Sequence, residues 1–256
     1  PCCVVLHTLG AYCSPMDDTH DPGTAAGRAR AEAVGLESVR ELKAPGGARV
    51  LVGIASWTDP SMTARGVFYP DRMTKAEERL KFYASRFPMV EVDSTYYAIP
   101  ARRTAELWAE RAPEGFSFDV KAHALMTGQP TEVARLPKEV KTALPEALSS
   151  RARIYATELP EEILVAVWYL FLDALEPLRE SGKMGALLLQ FPRWVTPSRA
   201  SAAIIEDARR RLEGWRVAVE FRNRAWLDDR LRQGTLDLLR RNSLAFVCVD
   251  APPGFV

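Results

Sequence analysis

Short runs of β-branched and other apolar residues, separated by amphipathic helical stretches, constrain the fold of this chain more tightly than any other feature of it. The runs are Val50 to Ile54, Met89 to Val92, Phe116 to Val120, Ala186 to Leu189, Val217 to Val219 and Leu244 to Val249. A strand, a crossover helix and the next strand take about 30 residues, and most of the runs recur at about that distance. Strands this apolar are buried on both faces, as in a parallel sheet covered by helices. The expected fold is α/β, a TIM-like (β/α) barrel of parallel strands over 49–256.

The helices between the runs have readable ends. Thr74 and Glu77 have capping-box spacing ahead of Leu80, Tyr83 and Phe87, and Pro113 with Gly115 closes the helix that carries Leu107 and Trp108. Ile163, Val167, Leu170, Phe171, Ala174 and Leu178 form one helical face, with Pro177 expected to kink it. Ser198 is placed to cap the next helix, with Ile204, Ile205, Ala208 and Leu212 expected inward and Gly214 at its end. Leu236 and Leu239 mark another helix before Asn242. An insertion at about 124–160, containing Pro130, Pro137 and Pro145, follows the third run. It reads either as a lid or specificity element over the strand ends or as a surface excursion.

The chain has 256 residues, 47% hydrophobic and 26% charged, which suits a globular domain with a buried core. Lys and Arg total 34 against 33 Asp and Glu, so a net charge of +1 gives no global attraction to nucleic acid or anionic membranes. Residues 1–48 are poor in core formers and are expected to be a largely disordered N-terminal extension, with one possible helix from Gly23 to Leu42. Cys2, Cys3 and Cys13 cluster there and Cys248 lies far away, which is no disulfide framework and favours a reducing compartment. His7 and His20 interleave with those cysteines in a spacing that matches no closed four-ligand zinc pattern. Without a signal peptide or a run of about 18 apolar residues, the expected location is cytoplasmic and no membrane contact is expected. A start at Pro1 suggests part of a longer chain.

Nearly every run ends in a polar group. The first leads to Ser56 and Trp57, the second through Glu91 to Asp93, Ser94, Tyr96 and Tyr97, and the third to Lys121 and His123. The fourth leads to Gln190, the fifth to Glu220 and Arg222, and the sixth to Asp250. Strand alternation puts Glu91 with Asp93, Asp119 with Lys121 and His123, and Glu220 with Arg222 on shared faces. If that face lines a barrel, acids and cations converge at its mouth, where barrel enzymes keep their active sites. The same residues also suit a satisfied ionic plug. Trp57, Tyr96, Tyr97, Trp194 and Trp226 crowd these ends with Arg102, Arg103, Arg193, Arg222 and Arg224. That mixture fits a phosphorylated, sugar-like or nucleotide-like ligand, or simple packing.

The chain lacks the glycine-rich and catalytic motifs of Rossmann cofactor binding, Walker-type phosphoryl transfer, zinc proteases and α/β-hydrolases, so no nucleotide cofactor is expected. A divalent metal held by Glu91, Asp93, Glu220 or Asp250 stays open.

Six segments carry a resemblance. Val52 to Trp57, Gly66 to Pro70, Phe87 to Tyr97, Trp108 to Lys121, Leu188 to Pro192 and Val217 to Arg222 resemble, in that order, the DUF72 (YecE-like) family over about 50–256. The resemblance implies a TIM-like barrel of undefined activity. It places Trp57, Glu91, Asp93, Ser94, Tyr96, Lys121, Gln190, Glu220 and Arg222 at motif positions facing the mouth. Members continue with two further strands, one leading to a His-Gly segment and one to an Asn-Asn segment, so the last two strands are expected to be missing from this chain.

The leading expectation is an enzyme using acid–base or hydrolytic chemistry on a small polar substrate, phosphorylated or sugar-like. Glu220 and Asp93 are the acid and base candidates, Lys121 and Arg222 the charge stabilisers, and Trp57 and Tyr96 the platform. Glu91, Ser94, His123 and Gln190 complete the ligand contacts. The alternatives are a nucleic-acid-binding or repair-related barrel and a non-catalytic metabolite-binding protein.

Overall fold

The computed structural model describes residues 42–43, 49–70 and 73–249. The leader cysteines and histidines, most of the possible Gly23 to Leu42 helix, and Asp250 lie outside the described residues. Two-residue strands β1 (Leu42–Lys43) and β2 (Arg49–Val50) pair antiparallel. They precede β3 (Met89–Val92), β4 (Ser117–Lys121), β5 (Thr131–Glu132), β6 (Arg153–Ile154), β7 (Met184–Phe191), β8 (Val217–Phe221) and β9 (Ala245–Phe246). The helices are α1 (Pro60–Thr63), α2 (Ala76–Arg86), α3 (Ser94–Tyr97), α4 (Arg102–Arg111), α5 (Lys138–Ala143), α6 (Glu146–Ser149), α7 (Glu161–Glu180), α8 (Arg199–Arg211) and α9 (Arg232–Arg241).

One parallel sheet of five strands, in the order β3-β4-β7-β8-β9, carries the fold. The expected first strand, Val50 to Ile54, contributes less ladder than its composition promised. Only Ala55 bridges to Glu91, with the Glu91 N–H donating to the Ile54 carbonyl (3.0 Å) and the Ser56 N–H to the Glu91 carbonyl (2.9 Å). This makes a short parallel stave outside β3. Strand neighbours follow chain order with helical crossovers, as repeated strand–helix units require.

Two alternating sets of side chains leave the sheet in opposite directions. Val90, Val92, Phe118, Val120, Leu187, Leu189, Phe191, Val217, Val219 and Phe221 join a single core with helix residues such as Leu80, Trp108, Phe171, Leu178, Ile205 and Leu239. Burying each such side chain contributes roughly 1.5–3 kcal/mol before the entropy of ordering is subtracted. The other face carries a small separate cluster of Leu188, Ala218 and Val247, flanked by Ala186, Ala245 and Val249. Alternation assigns Glu91, Lys121, Gln190 and Glu220 to that second face.

The stave approaches β3 closely because Gly53 has no side chain: a Cβ there would lie 2.3 Å from the Met89 carbonyl oxygen. Tyr83, fully buried on α2, stitches the two segments together. Its hydroxyl donates to the Met89 carbonyl and accepts from the Ile54 N–H, both at 2.9 Å. Burial pushes its pKa up. Tyr83→Phe leaves the Ile54 N–H without its acceptor, and the expected loss is about 1–3 kcal/mol, read from chemical denaturation midpoints.

The helices match the expected faces with local exceptions. Ile163, Val167, Phe171, Ala174 and Leu178 are buried on α7, which runs on through Pro177 to Glu180. Ser198 caps α8 by accepting from the Ser201 N–H at 3.0 Å. Ile204, expected inward, is half-exposed, because Ile205 and Ala208 take the core side. The start of α2 is capped at Lys75 with no side-chain bond, so the Thr74–Glu77 capping box does not form. The insertion is a packed unit: β5 and β6 pair antiparallel, and Val133, Leu136, Val140, Leu144 and Ile154 join the main core.

Candidate functional site

The acids and cations at the C-terminal ends of the strands come together. Glu91, on β3, is 2% exposed, and its carboxyl neighbours that of Asp93, two residues along the same face. Burial first, then the charge and hydrogen bond of Asp93, raise the Glu91 pKa well above the ordinary carboxylate range. Glu220 adds to the rise and Lys121 opposes it.

Lys121 ends β4 with its Nζ 3.3 Å from Asp93 Oδ1 and 3.9 Å from Glu91 Oε1. The ammonium lies 5.7 Å from the centre of the Tyr96 ring, a cation–π contact of about 1–2 kcal/mol when shielded from water. Glu220, buried on β8, is paired in register with Gln190, whose Nε2 donates to Glu220 Oε1 at 2.9 Å. Arg222, two residues further along that face, forms an ion pair with Glu220 through its Nε, at an angle that makes no hydrogen bond. Four neighbouring strand ends thus supply two acids, a lysine within reach of both, and a second acid–cation pair.

Polar residues with no obvious sequence signal hold this cluster in place. The Thr95 hydroxyl is within bonding distance of the Val92 and Lys121 carbonyls (3.0 and 2.6 Å), tying the tips of β3 and β4. Gln129, on the insertion, accepts from the Tyr96 hydroxyl at 2.9 Å and donates from Nε2 to the Gln190 carbonyl at 3.1 Å. The insertion is therefore fastened to the rim of the site by one side chain.

The model of the family described as "Protein of unknown function DUF72" matches residues 51–254. This chain belongs to the DUF72 family. It is 28% identical over 203 residues to the UPF0759 protein YunF of Bacillus subtilis, covering 79% of this chain and 61% of that protein. The chain thus spans about three fifths of the curated relative's length. A solved DUF72 family protein from Enterococcus faecalis aligns with a TM-score of 0.57 at 25% identity, over 78% of this chain and 61% of that one. One from Thermotoga maritima aligns with a TM-score of 0.54 at 25% identity, over 79% and 66%.

Within this DUF72 chain, several expected contacts sit away from the cluster. Trp57 is buried edge-on against Trp108 and Phe118, with ring centres 5.7 and 6.4 Å away, so it is part of the helix-side core and not a platform at the mouth. Ser56, just before it, adopts φ 66°, a left-handed conformation uncommon outside glycine. His123 is fully buried, with Nε2 3.4 Å from Thr131 Oγ1 and Nδ1 without a partner. Burial lowers its pKa to about 4. β4 ends at Lys121, and His123, which immediately precedes the turn formed by Ala124–Thr127, reaches Thr131 of the insertion instead of the cluster. Ser94 is exposed at the start of α3.

The aromatic and arginine crowd is dispersed. Trp226 stacks on Phe221 at 4.3 Å and donates to the Val195 carbonyl at 2.8 Å. Arg102 pairs with Asp173 and Glu180 of α7, and Arg103 with Glu106 and Glu110 of its own helix. Trp194 and Tyr97 remain exposed.

Asp119 lies toward the opposite end of the sheet, accepting from the Ala186 N–H at 2.8 Å beside a cavity of about 800 Å³. Burial raises its pKa to about 6, against the pull of that N–H and of Arg216. Gly185 makes room for it: a Cβ there would meet Asp119 Oδ1 at 2.0 Å. Among the described residues, no group of three His, Cys, Asp or Glu side chains is placed to hold a metal ion. No described helix is long and apolar enough to cross a membrane.

Proposed function

We propose that this protein is an enzyme that moves a proton at the C-terminal ends of its strands, acting by acid–base or hydrolytic chemistry on a small polar substrate, phosphorylated or sugar-like. The observation that carries the reading is Glu91: a carboxyl 2% exposed and 3.9 Å from an ammonium group that also reaches a second carboxyl, Asp93, at 3.3 Å. A buried carboxyl whose surroundings favour its protonated form, set beside a second carboxyl open to solvent, is a usual arrangement for an acid and a base. Glu91 keeps its proton and is the general acid. Asp93, about a third exposed, is the base that faces the substrate, and Lys121 offsets charge that develops beside them.

This assignment shifts the acid from Glu220 to Glu91. Glu220 already accepts from Gln190 and faces Arg222, so it orients those groups more readily than it exchanges a proton with a substrate. We also infer that the sheet curls into a TIM-like barrel. The chain-ordered parallel strands and the separate apolar cluster of Leu188, Ala218 and Val247 on the second face of the sheet support that closure.

The test is a consumption screen of the protein against phosphate esters and glycosides, repeated with Asp93→Asn. Expected is a substrate whose turnover falls at least about 100-fold in the variant while the melting temperature holds. A compound that raises the melting temperature without being consumed would replace the enzyme with a metabolite-binding protein.

A further inference from the structure

Both cations of the site keep hydrogen-bond donors that no described acceptor fills. Arg222 is 23% exposed, yet its only polar partner among the described residues is Glu220, reached through Nε, and neither terminal nitrogen of the guanidinium has an acceptor there. The Glu220 oxygen facing it also receives the Gln190 amide. Lys121, 16% exposed, makes one hydrogen bond, to Asp93, and its other N–H groups have no acceptor among the described residues. Of the Arg222 nitrogens only Nε is buried, so the terminal pair is open to solvent and can take an acceptor-rich ligand that enters the site.

We infer that the substrate carries an oxyanion that the open fork of Arg222 holds in a two-point contact beside Lys121. The planar fork matches the oxygens of a phosphate or carboxylate, whereas the hydroxyls of an uncharged sugar fit it poorly. The backbone keeps the fork in position: the Arg222 N–H donates to the Phe191 carbonyl at 3.0 Å, locking the end of β8 to β7. Such an anchor sets the reacting part of the substrate over the Glu91–Asp93 pair, and to that extent the inference rests on the acid–base reading of the same site.

Calorimetric titration of the full protein with inorganic phosphate, and separately with acetate, tests the anchor. Expected is saturable phosphate binding that weakens about 10- to 100-fold in Arg222→Gln and by less in Arg222→Lys, which keeps the charge but loses the fork. Glu213→Gln, exposed in the turn between α8 and β8 at the other end of the strand, should leave phosphate affinity within about two-fold. Binding of acetate with the same dependence on Arg222, and none of phosphate, identifies the anchored group as a carboxylate and keeps the oxyanion. If the protein binds neither anion, or binds phosphate equally well with Arg222→Gln and Arg222→Lys, the anchor is overturned. The two readings fail separately. Turnover of an uncharged substrate that is lost in Glu91→Gln, in a protein that binds no anion, removes the anchor and spares the acid. Binding that depends on Arg222, together with turnover that survives Glu91→Gln, does the reverse.

Discussion

Glu91→Gln is expected to lower turnover by about 10²- to 10⁴-fold and to leave the protein at least as stable as before. Glutamine has nearly the shape of a protonated glutamic acid, but it cannot release a proton. The fold should accept it, since burial already disfavours the ionised form of Glu91. The same variant separates the functional reading from its plainest competitor. In an inert ionic plug, Glu91 would be a charge that pairs Lys121, and removing one partner of a buried pair costs about 3–5 kcal/mol. A loss of stability of that size, with turnover of any identified substrate intact, would make the cluster a structural plug. The measurement is therefore paired, with kcat and the denaturation midpoint taken on the same preparation.

How much of this was legible beforehand follows from the range over which each signal acts. Strand alternation is local, so the pairs Glu91 with Asp93 and Glu220 with Arg222 could be placed on shared faces from spacing alone, and the structure brings them together. The recurrence of strand–helix units was enough for a parallel sheet in chain order. Signals failed where one residue's backbone or a distant partner decides. Trp57 follows Ser56, whose left-handed conformation nothing in its neighbours announces, and it packs against Trp108 and Phe118. His123 lies just past the end of β4, where alternation no longer holds. Thr95 and Gln129 look like ordinary polar residues, and their roles come from carbonyls and a hydroxyl brought near by other segments. The insertion could not be told from a surface excursion because its apolar residues, such as Val140 and Ile154, show no long helical or strand period. Only the tertiary packing reveals them as core.

Two buried groups outside the cluster should give the protein opposed responses to acid. His123 titrates near pH 4 when folded and near its ordinary 6.5 when unfolded. Its contribution is therefore full above pH 6.5 and lost as pH falls toward 4, since only the unfolded chain gains the proton there. Each unit of difference is about 1.4 kcal/mol, so the loss approaches about 3 kcal/mol. Asp119 works the other way. Its pKa of about 6 lies above the ordinary 3.8, so its contribution is full below pH 3.8 and is lost as pH rises through 6, by about 3 kcal/mol. Over the interval that they share the two nearly cancel, and single variants expose the hidden slopes. Asp119→Asn keeps the acceptor for the Ala186 N–H, and relative to wild type it should gain about 3 kcal/mol between pH 4 and pH 7. His123→Gln should gain a similar amount relative to wild type on going from pH 7 to pH 4. Urea midpoints at the two pH values decide the matter. A difference from wild type that does not change with pH would mean that the group is solvated in the folded protein, because burial is the leading cause of both shifts.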